Sequence, residues 1–302
     1  METGRAGPVT GKMAWSRAAN KNDFKPSAPL ARRLRPAHST RFRAGVFRAP
    51  HTRDFRDRTD PVTTTASQAF TYSGEELDAL AEARNYYGWI ARRFAPYLGR
   101  RIVEVGAGIG TFAEHLRAAA PDARLTLVEP AANNWPHLSA RFAGRRHVTT
   151  RRGYLADAGE PGSADTVVAV NVMEHVRDDG AFLADAHRLL SPGGHALLFV
   201  PALPAIYGSL DEAFDHYRRY TKRSLTRRLQ EAGLTPVSVA YTNLPGVLAW
   251  WMSGRVLRRR TVSARDAKLY DRWMIPWISR LERVWTPPVG QSLIAIARKG
   301  VA

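Results

Sequence analysis

The 302-residue chain has no cysteine, only 6 lysines beside 39 arginines, and no apolar run long enough to cross a membrane. The first absence excludes disulfides, thiolate nucleophiles and Cys-ligated zinc, so catalysis must use other groups, and it fits a cytoplasmic setting, which is the expected location. The shortage of lysine points to GC-rich coding and takes weight off any special reading of single arginines. The longest uncharged stretch, Ala232 to Gly254, contains Pro236 and Pro245 with Thr235, Ser238, Thr242 and Asn243 between or beside them. It reads as a strand, a loop and a short apolar helix, not as about 20 continuous apolar residues. Acid is also scarce: 27 acidic against 45 basic residues leave a net charge of +18, which favours anionic partners.

That charge is uneven. Residues 1–68 hold 14 basic and 5 acidic residues, a net of +9, half the total in under a quarter of the length. They show scattered proline, no sustained apolar periodicity and a Thr/Ser-rich end, and they read as a disordered tail. A basic anchor, a transit segment and an unstructured extension with Met13 as an alternative start all fit such composition, and the extension is the reading taken. The catalytic domain is expected over 69–302, a size ordinary for one α/β domain with additions.

Ser73 and Glu76 have capping-box spacing ahead of an apolar-periodic helix, Leu77 to Leu98. From there short apolar runs alternate with amphipathic stretches: strands at 102–105, 125–129, 166–170, 196–201, 236–241 and 292–297, and helices at 111–119, 133–142, 179–190 and 222–232. Alternating βα units predict a mostly parallel sheet covered by helices on both faces. Between the last two strands lies a long connection, 243–291, with five of the eight tryptophans. A structureless loop of that length is improbable in a compact domain, so helices forming a cap or lid are expected, with their tryptophans mainly in ordinary packing and some lining a pocket.

Strand 102–105 runs into Gly106-Ala107-Gly108-Ile109-Gly110 and then a helix. Glycines permit a tight turn and close approach of a ligand, and the helix N-terminus offers N–H groups to an anion. Thr111 stands where the dinucleotide fingerprint needs its third glycine, so the pattern is G-x-G-x-G. The next strand ends in Glu129, placed to accept hydrogen bonds from both hydroxyls of a ribose.

The successive segments EVGAGIG, LVEP, DTVVAVNVMEHV and LSPGG resemble the motifs of class I S-adenosylmethionine-dependent methyltransferases over about residues 74–297. The resemblance implies a Rossmann-like, doubly wound, seven-stranded sheet, S-adenosylmethionine as cofactor, and Glu104, Gly106, Gly108, Gly110, Glu129 and Asn171 as its contacts. Tyr154 stands where the family often has an acidic adenine ligand, leaving Asp157 or backbone to serve. Within the family, residues 201–225 look most like bacterial small-molecule methyltransferases found beside or fused to glycosyltransferases.

Methyl transfer is an in-line displacement that needs alignment and often one base. His175, after the fourth strand, is the first candidate base, with Asn171 and Glu174 beside it at i, i+3 and i+4 if the turn is helical. The alternative for His175 is a histidine held by a carbonyl beside the site. His216 is the second candidate, and Tyr207, Tyr217 and Arg218 are substrate candidates, with Arg218 or Arg219 suited to an anionic group. Glu174, His175 and His216 also resemble the metal set of small-RNA 2′-O-methyltransferases and ubiquinone-pathway O-methyltransferases, but both have an acid where this chain has Asn171, so no required metal is expected.

The expected partner is a small-molecule acceptor methylated on oxygen, nitrogen or carbon. An RNA substrate would suit the charge, yet no RNA-reading motif is visible. A lipid-linked acceptor would suit the apolar stretch Leu244 to Met252, with Trp250 and Trp251, followed by Arg255, Arg258, Arg259 and Arg260, a pattern for peripheral membrane contact. A non-catalytic binding module sits poorly with intact cofactor motifs.

Overall fold

The computed structural model describes residue 71 and residues 83–301. The basic tail 1–68, the Ser73–Glu76 capping box and the first residues of the helix expected from Leu77 lie outside the described residues. Seven strands form one sheet: β1 (Arg101–Val105), β2 (Arg124–Glu129), β3 (Val148–Arg152), β4 (Ala164–Val170), β5 (Leu190–Pro201), β6 (Leu234–Thr242) and β7 (Ser292–Lys299). Their order is β3-β2-β1-β4-β5-β7-β6, with β7 antiparallel to both neighbours and the other pairings parallel. The expected doubly wound α/β architecture is the one observed. One strand escaped the apolar pattern: β3 reads VTTRR at the sheet edge and buries none of its five residues, so no alternation marks it.

The helices are α1 (Arg84–Phe94), α2 (Thr111–Ala119), α3 (Trp135–Phe142), α4 (Asp179–Leu189), α5 (Ser209–Ala213), α6 (Lys222–Glu231), α7 (Leu244–Trp251), α8 (Ala264–Leu269) and α9 (Ile275–Leu281). The central strands are apolar on both sides and feed two cores by alternation. Val103 and Val105, Val167 and Ala169, and Leu198 and Val200 join Phe182 of α4 and Leu229 of α6 on one face. Ile102, Val168 and Phe199 join Phe94 of α1, Phe112 of α2 and Leu138 of α3 on the other. Each fully buried Leu or Phe contributes about 1.5–3 kcal/mol, so these layers hold the strand ends that carry the site.

The connection between β6 and β7 is helical, as expected: α7 runs on through a π turn, Met252–Val256, and α8 continues through a second, Tyr270–Met274, into α9. The insertion is held to the domain by two buried carboxylates. Asp271 accepts hydrogen bonds from the backbone N–H groups of Asn85 (3.2 Å) and Tyr86 (2.7 Å), capping α1, whose own N-cap residue Ala83 has no side chain for the task. Glu282 accepts from Thr242 Oγ1 (2.5 Å) and Asn243 N (2.8 Å) at the end of β6. The expectation of ordinary tryptophan packing fails here. Only Trp250 of the five is half-buried, while Trp251, Trp273, Trp277 and Trp285 are 40–71% exposed.

Candidate functional site

Two buried acids, Glu104 and Glu129, and a glycine loop meet at the carboxyl ends of the adjacent strands β1 and β2. Gly106, Gly108 and Gly110 all have positive φ (+65°, +56° and +84°), the region glycine enters without strain. A side chain at Gly106 would come within 2.6 Å of Val172 Cγ2, and one at Gly110 would strike Phe142, so those two glycines are required by packing of the loop as well as by its turn. The loop is tied to β2: Gly106 N donates to Val128 O at 2.8 Å, and Gly108 N to Glu129 Oε2 at 2.8 Å. Glu129 Oε1 accepts from Ala131 N at 2.9 Å. Burial raises the Glu129 carboxyl and these N–H donors oppose the rise.

Glu104 is 3% exposed, and its Oε2 has no hydrogen-bond partner. Burial, and then the charge of Glu129, push its carboxyl up to about 8. A buried acid with an unsatisfied oxygen beside a second acid, at the N-terminus of α2, is suited to a ligand carrying positive charge and hydroxyl or ammonium donors.

Beyond the end of β4 the chain passes through Asn171 in the left-handed region (φ +52°) into a 3-10 turn, Met173–His175. Asn171 and Glu174 line a cavity of about 230 Å³, but His175 does not. The expected i, i+3, i+4 grouping holds only in part: Asn171 lies before the turn in the left-handed region, and of the three only Asn171 and Glu174 face the cavity. His175 is 4% exposed and its ring is hydrogen-bonded to the backbone of Asp215 and Phe214. Burial, and then the neighbouring His216, hold its imidazole well below the ordinary range, with those backbone contacts opposing.

His216 does line the cavity, with Arg219 and Trp250 beside it. Its Nδ1 lies 2.8 Å from Asp211 Oδ1. The same carboxylate takes Arg219 Nε at 2.6 Å, Gly208 N at 3.0 Å and Trp250 Nε1 at 3.0 Å. Burial raises Asp211, but His216, Arg219 and Trp250 outweigh it and keep the carboxyl below its usual value. An ionised Asp211 can only accept, so it fixes the proton of His216 on Nδ1 and leaves Nε2 as the basic nitrogen. Arg219 also stacks over the Trp250 ring at 4.7 Å, tying the insertion to this cluster.

The three substrate candidates fall elsewhere. Tyr207 Oη donates to His216 O at 2.8 Å, Tyr217 N to Glu174 O at 2.8 Å, and Arg218 pairs with Asp179 at 2.9 Å while donating to Arg177 O. None lines the cavity. Tyr154 caps a 3-10 turn, with its N–H 3.4 Å from Asp157 Oδ2. Asp211 and Trp250 were not singled out by sequence as site residues, since an Asp five residues before a His, or a Trp in an apolar helix, carries no signal until the chain folds. Glu174, His175 and His216 converge, with one ligand atom from each within 4.8 Å of the others.

A family model described as a methyltransferase domain matches residues 68–239. It spans more than half of the chain, and the chain belongs to that family: the described domain is an S-adenosylmethionine-dependent methyltransferase domain. The ubiquinone biosynthesis O-methyltransferase of Azorhizobium caulinodans is 39% identical over 114 residues, 36% of this chain and 43% of that protein. The enzyme of the same description from Dinoroseobacter shibae is 32% identical over 170 residues, 50% of this chain and 66% of that protein. The chain thus matches about two thirds or less of either relative's length. Among solved structures, geranyl diphosphate C-methyltransferase from Streptomyces coelicolor, determined with Mg²⁺, geranyl diphosphate and S-adenosylhomocysteine, superposes with a TM-score of 0.53 at 17% identity over 74% of this chain and 83% of that one, a likeness of fold.

Proposed function

We propose that the protein methylates an oxygen of a small-molecule acceptor held in the cavity between β4 and the insertion, with His216 taking the acceptor's proton. The observation that carries this reading is the buried Asp211–His216 pair at the cavity wall. When bound, S-adenosylmethionine supplies an electrophilic methyl carbon whose displacement leaves a neutral sulfide. The residues present fit that group: the unpaired Glu104 oxygen suits its ammonium, Glu129 its ribose, and the first N–H groups of α2 its carboxylate. His216 Nε2 accepts the hydroxyl proton as the oxygen attacks, and Asp211 stabilises the imidazolium that forms. His175, held by backbone at 214 and 215, serves to position the His216 ring, whose centroid is 4.9 Å from its own. The O-methyltransferase names of the relatives support oxygen as the acceptor atom.

His216→Ala should lower turnover by about 10²–10⁴ with S-adenosylmethionine affinity by calorimetry unchanged. Near-wild-type turnover in this variant would sink the assignment and return His175 to first place.

A second reading rests on the convergence of Glu174, His175 and His216. One carboxylate and two imidazoles, each imidazole oriented by an acceptor on its own chain, fit a metal that takes nitrogen ligands better than a hard cation, and such an ion would lower the acceptor hydroxyl's pKa. Dialysis against a chelator separates the two: turnover persists if His216 alone is the base, and it is lost and restored by Zn²⁺ or Mn²⁺ if a metal is used.

A further inference from the structure

The helical insertion has two unlike sides. One lines the acceptor cavity through Ala249, Trp250 and Ser253 and, from the second helix, Ala267, Tyr270 and Ile275. The other is exposed and apolar. Thirteen of the fifteen large apolar side chains exposed among the described residues lie between Leu248 and Val289, so this surface is concentrated in one element and not scattered as on an ordinary exterior. Along α8 and α9 it recurs every four residues: Leu269, Trp273, Trp277 and Leu281 are 47%, 61%, 71% and 55% exposed, while Ile275 and Ile278 between them are buried.

Its charge is one-sided. Nine Arg and Lys side chains of residues 244–289 are exposed against one exposed carboxylate, Asp266, since Asp271 and Glu282 are buried. Arginines stand over the exposed indoles: the Arg272 guanidinium is 5.5 Å from the Trp273 ring centroid, and that of Arg280 5.9 Å from Trp277. A guanidinium beside an indole suits the boundary where headgroup phosphates meet acyl chains, because both an apolar and an anionic medium are within reach of the pair. A second copy of this chain, at net charge +18, is a poor counterpart for such a face. No described helix is long and apolar enough to cross a membrane, which leaves a surface contact.

We propose that the outer face of residues 244–289 docks on an anionic bilayer and that the cavity behind it takes an amphiphilic acceptor from that membrane. The second half of this proposal rests on the methyl-transfer reading above; the first half stands without it. Sedimentation of the full chain with phosphatidylcholine vesicles, and with vesicles in which about a third of the lipid is phosphatidylglycerol, tests it. Strong binding to the anionic vesicles, weakened by salt and accompanied by a blue shift of tryptophan emission, is expected. Trp273→Ser/Trp277→Ser should lower partitioning about tenfold or more, and Arg272→Gln/Arg280→Gln/Arg283→Gln should lower it on anionic vesicles. Unchanged melting and S-adenosylmethionine affinity show that each variant is folded, and the single Trp277→Ser replaces the pair if the pair is not. Failure of the full chain to sediment overturns the proposal. So does sedimentation of the tryptophan variants at the wild-type level, which would assign binding to other basic residues, or self-association on light scattering without vesicle binding. Absence of S-adenosylmethionine binding to the wild-type chain would overturn the methyl-transfer reading instead, whatever the vesicles show.

Discussion

Residues 101–131 and residues 244–289 use charge and apolar surface in opposite ways. In the first stretch two carboxylates, Glu104 and Glu129, are buried at 3% and 2% exposure, and the glycine loop is packed against Val172 and Phe142. In the second, arginines and tryptophans stand in solvent and only a few carboxylates reach inward to hold the segment in place. The difference teaches where each region's ligand comes from. In the proposed reading the two buried acids receive a cationic cofactor whatever the acceptor, whereas the insertion supplies one wall of the cavity proposed for the acceptor.

The sharpest test of how the second region is held is Asp211, which ties Trp250 of the insertion to His216 and Arg219 and has no exposed surface. Asp211→Ala should destabilise the fold by about 3–5 kcal/mol, because it strands the buried Arg219 charge, and denaturant titration measures this. A loss below about 1 kcal/mol, the range of an exposed pair, would show that the insertion is held by other contacts. Next in size, Glu129→Ala removes the acceptor of the Gly108 and Ala131 N–H groups as well as the proposed ribose ligand, so S-adenosylmethionine affinity should fall tenfold or more, about 1.4 kcal/mol. Unchanged calorimetric affinity would take Glu129 out of the cofactor site.

A smaller effect follows from Glu104. Its carboxyl is raised from 4.5 to about 8, so the folded state keeps a proton that the unfolded chain releases, and the associated stability is complete below pH 4.5 and lost as pH rises through about 8. Glu104→Gln, which mimics the protonated acid, should therefore melt close to wild type near about pH 5 and above it near about pH 9. Equal melting at both values would mean that Glu104 ionises normally. Gly110→Ala should cost about 1–3 kcal/mol of stability, since its positive φ and the Phe142 ring both oppose a methyl group. A neutral result in thermal melts would show that the loop can shift.

The βα alternation was legible because central strands buried on both faces read as apolar runs, and helix α2 falls at the residues its pattern predicts, Thr111 to Ala119. Strand β3 was not, since an edge strand of Thr and Arg carries no apolar period. The three glycines and Glu129 could be singled out in the chain because they follow or end apolar strands, where local order already implies proximity, whereas Glu104 came from the family resemblance. The catalytic side was only half legible. His175 and His216 were both visible as candidates, but that His216 alone of the two lines the cavity and pairs with Asp211 followed only from the tertiary structure.

What the amino-acid order determined by itself is therefore six of the seven strands, the glycine turn and Glu129 beside it, consequences of short-range periodicity and of backbone conformations only glycine enters freely. Tertiary structure alone decided which histidine faces the cavity, that Arg219 and not Arg218 points into it, and that four of five tryptophans in the insertion remain in solvent. Those outcomes depend on contacts between residues tens of positions apart, such as Trp250 with Asp211 and Asp271 with Tyr86, whose geometry no local pattern encodes.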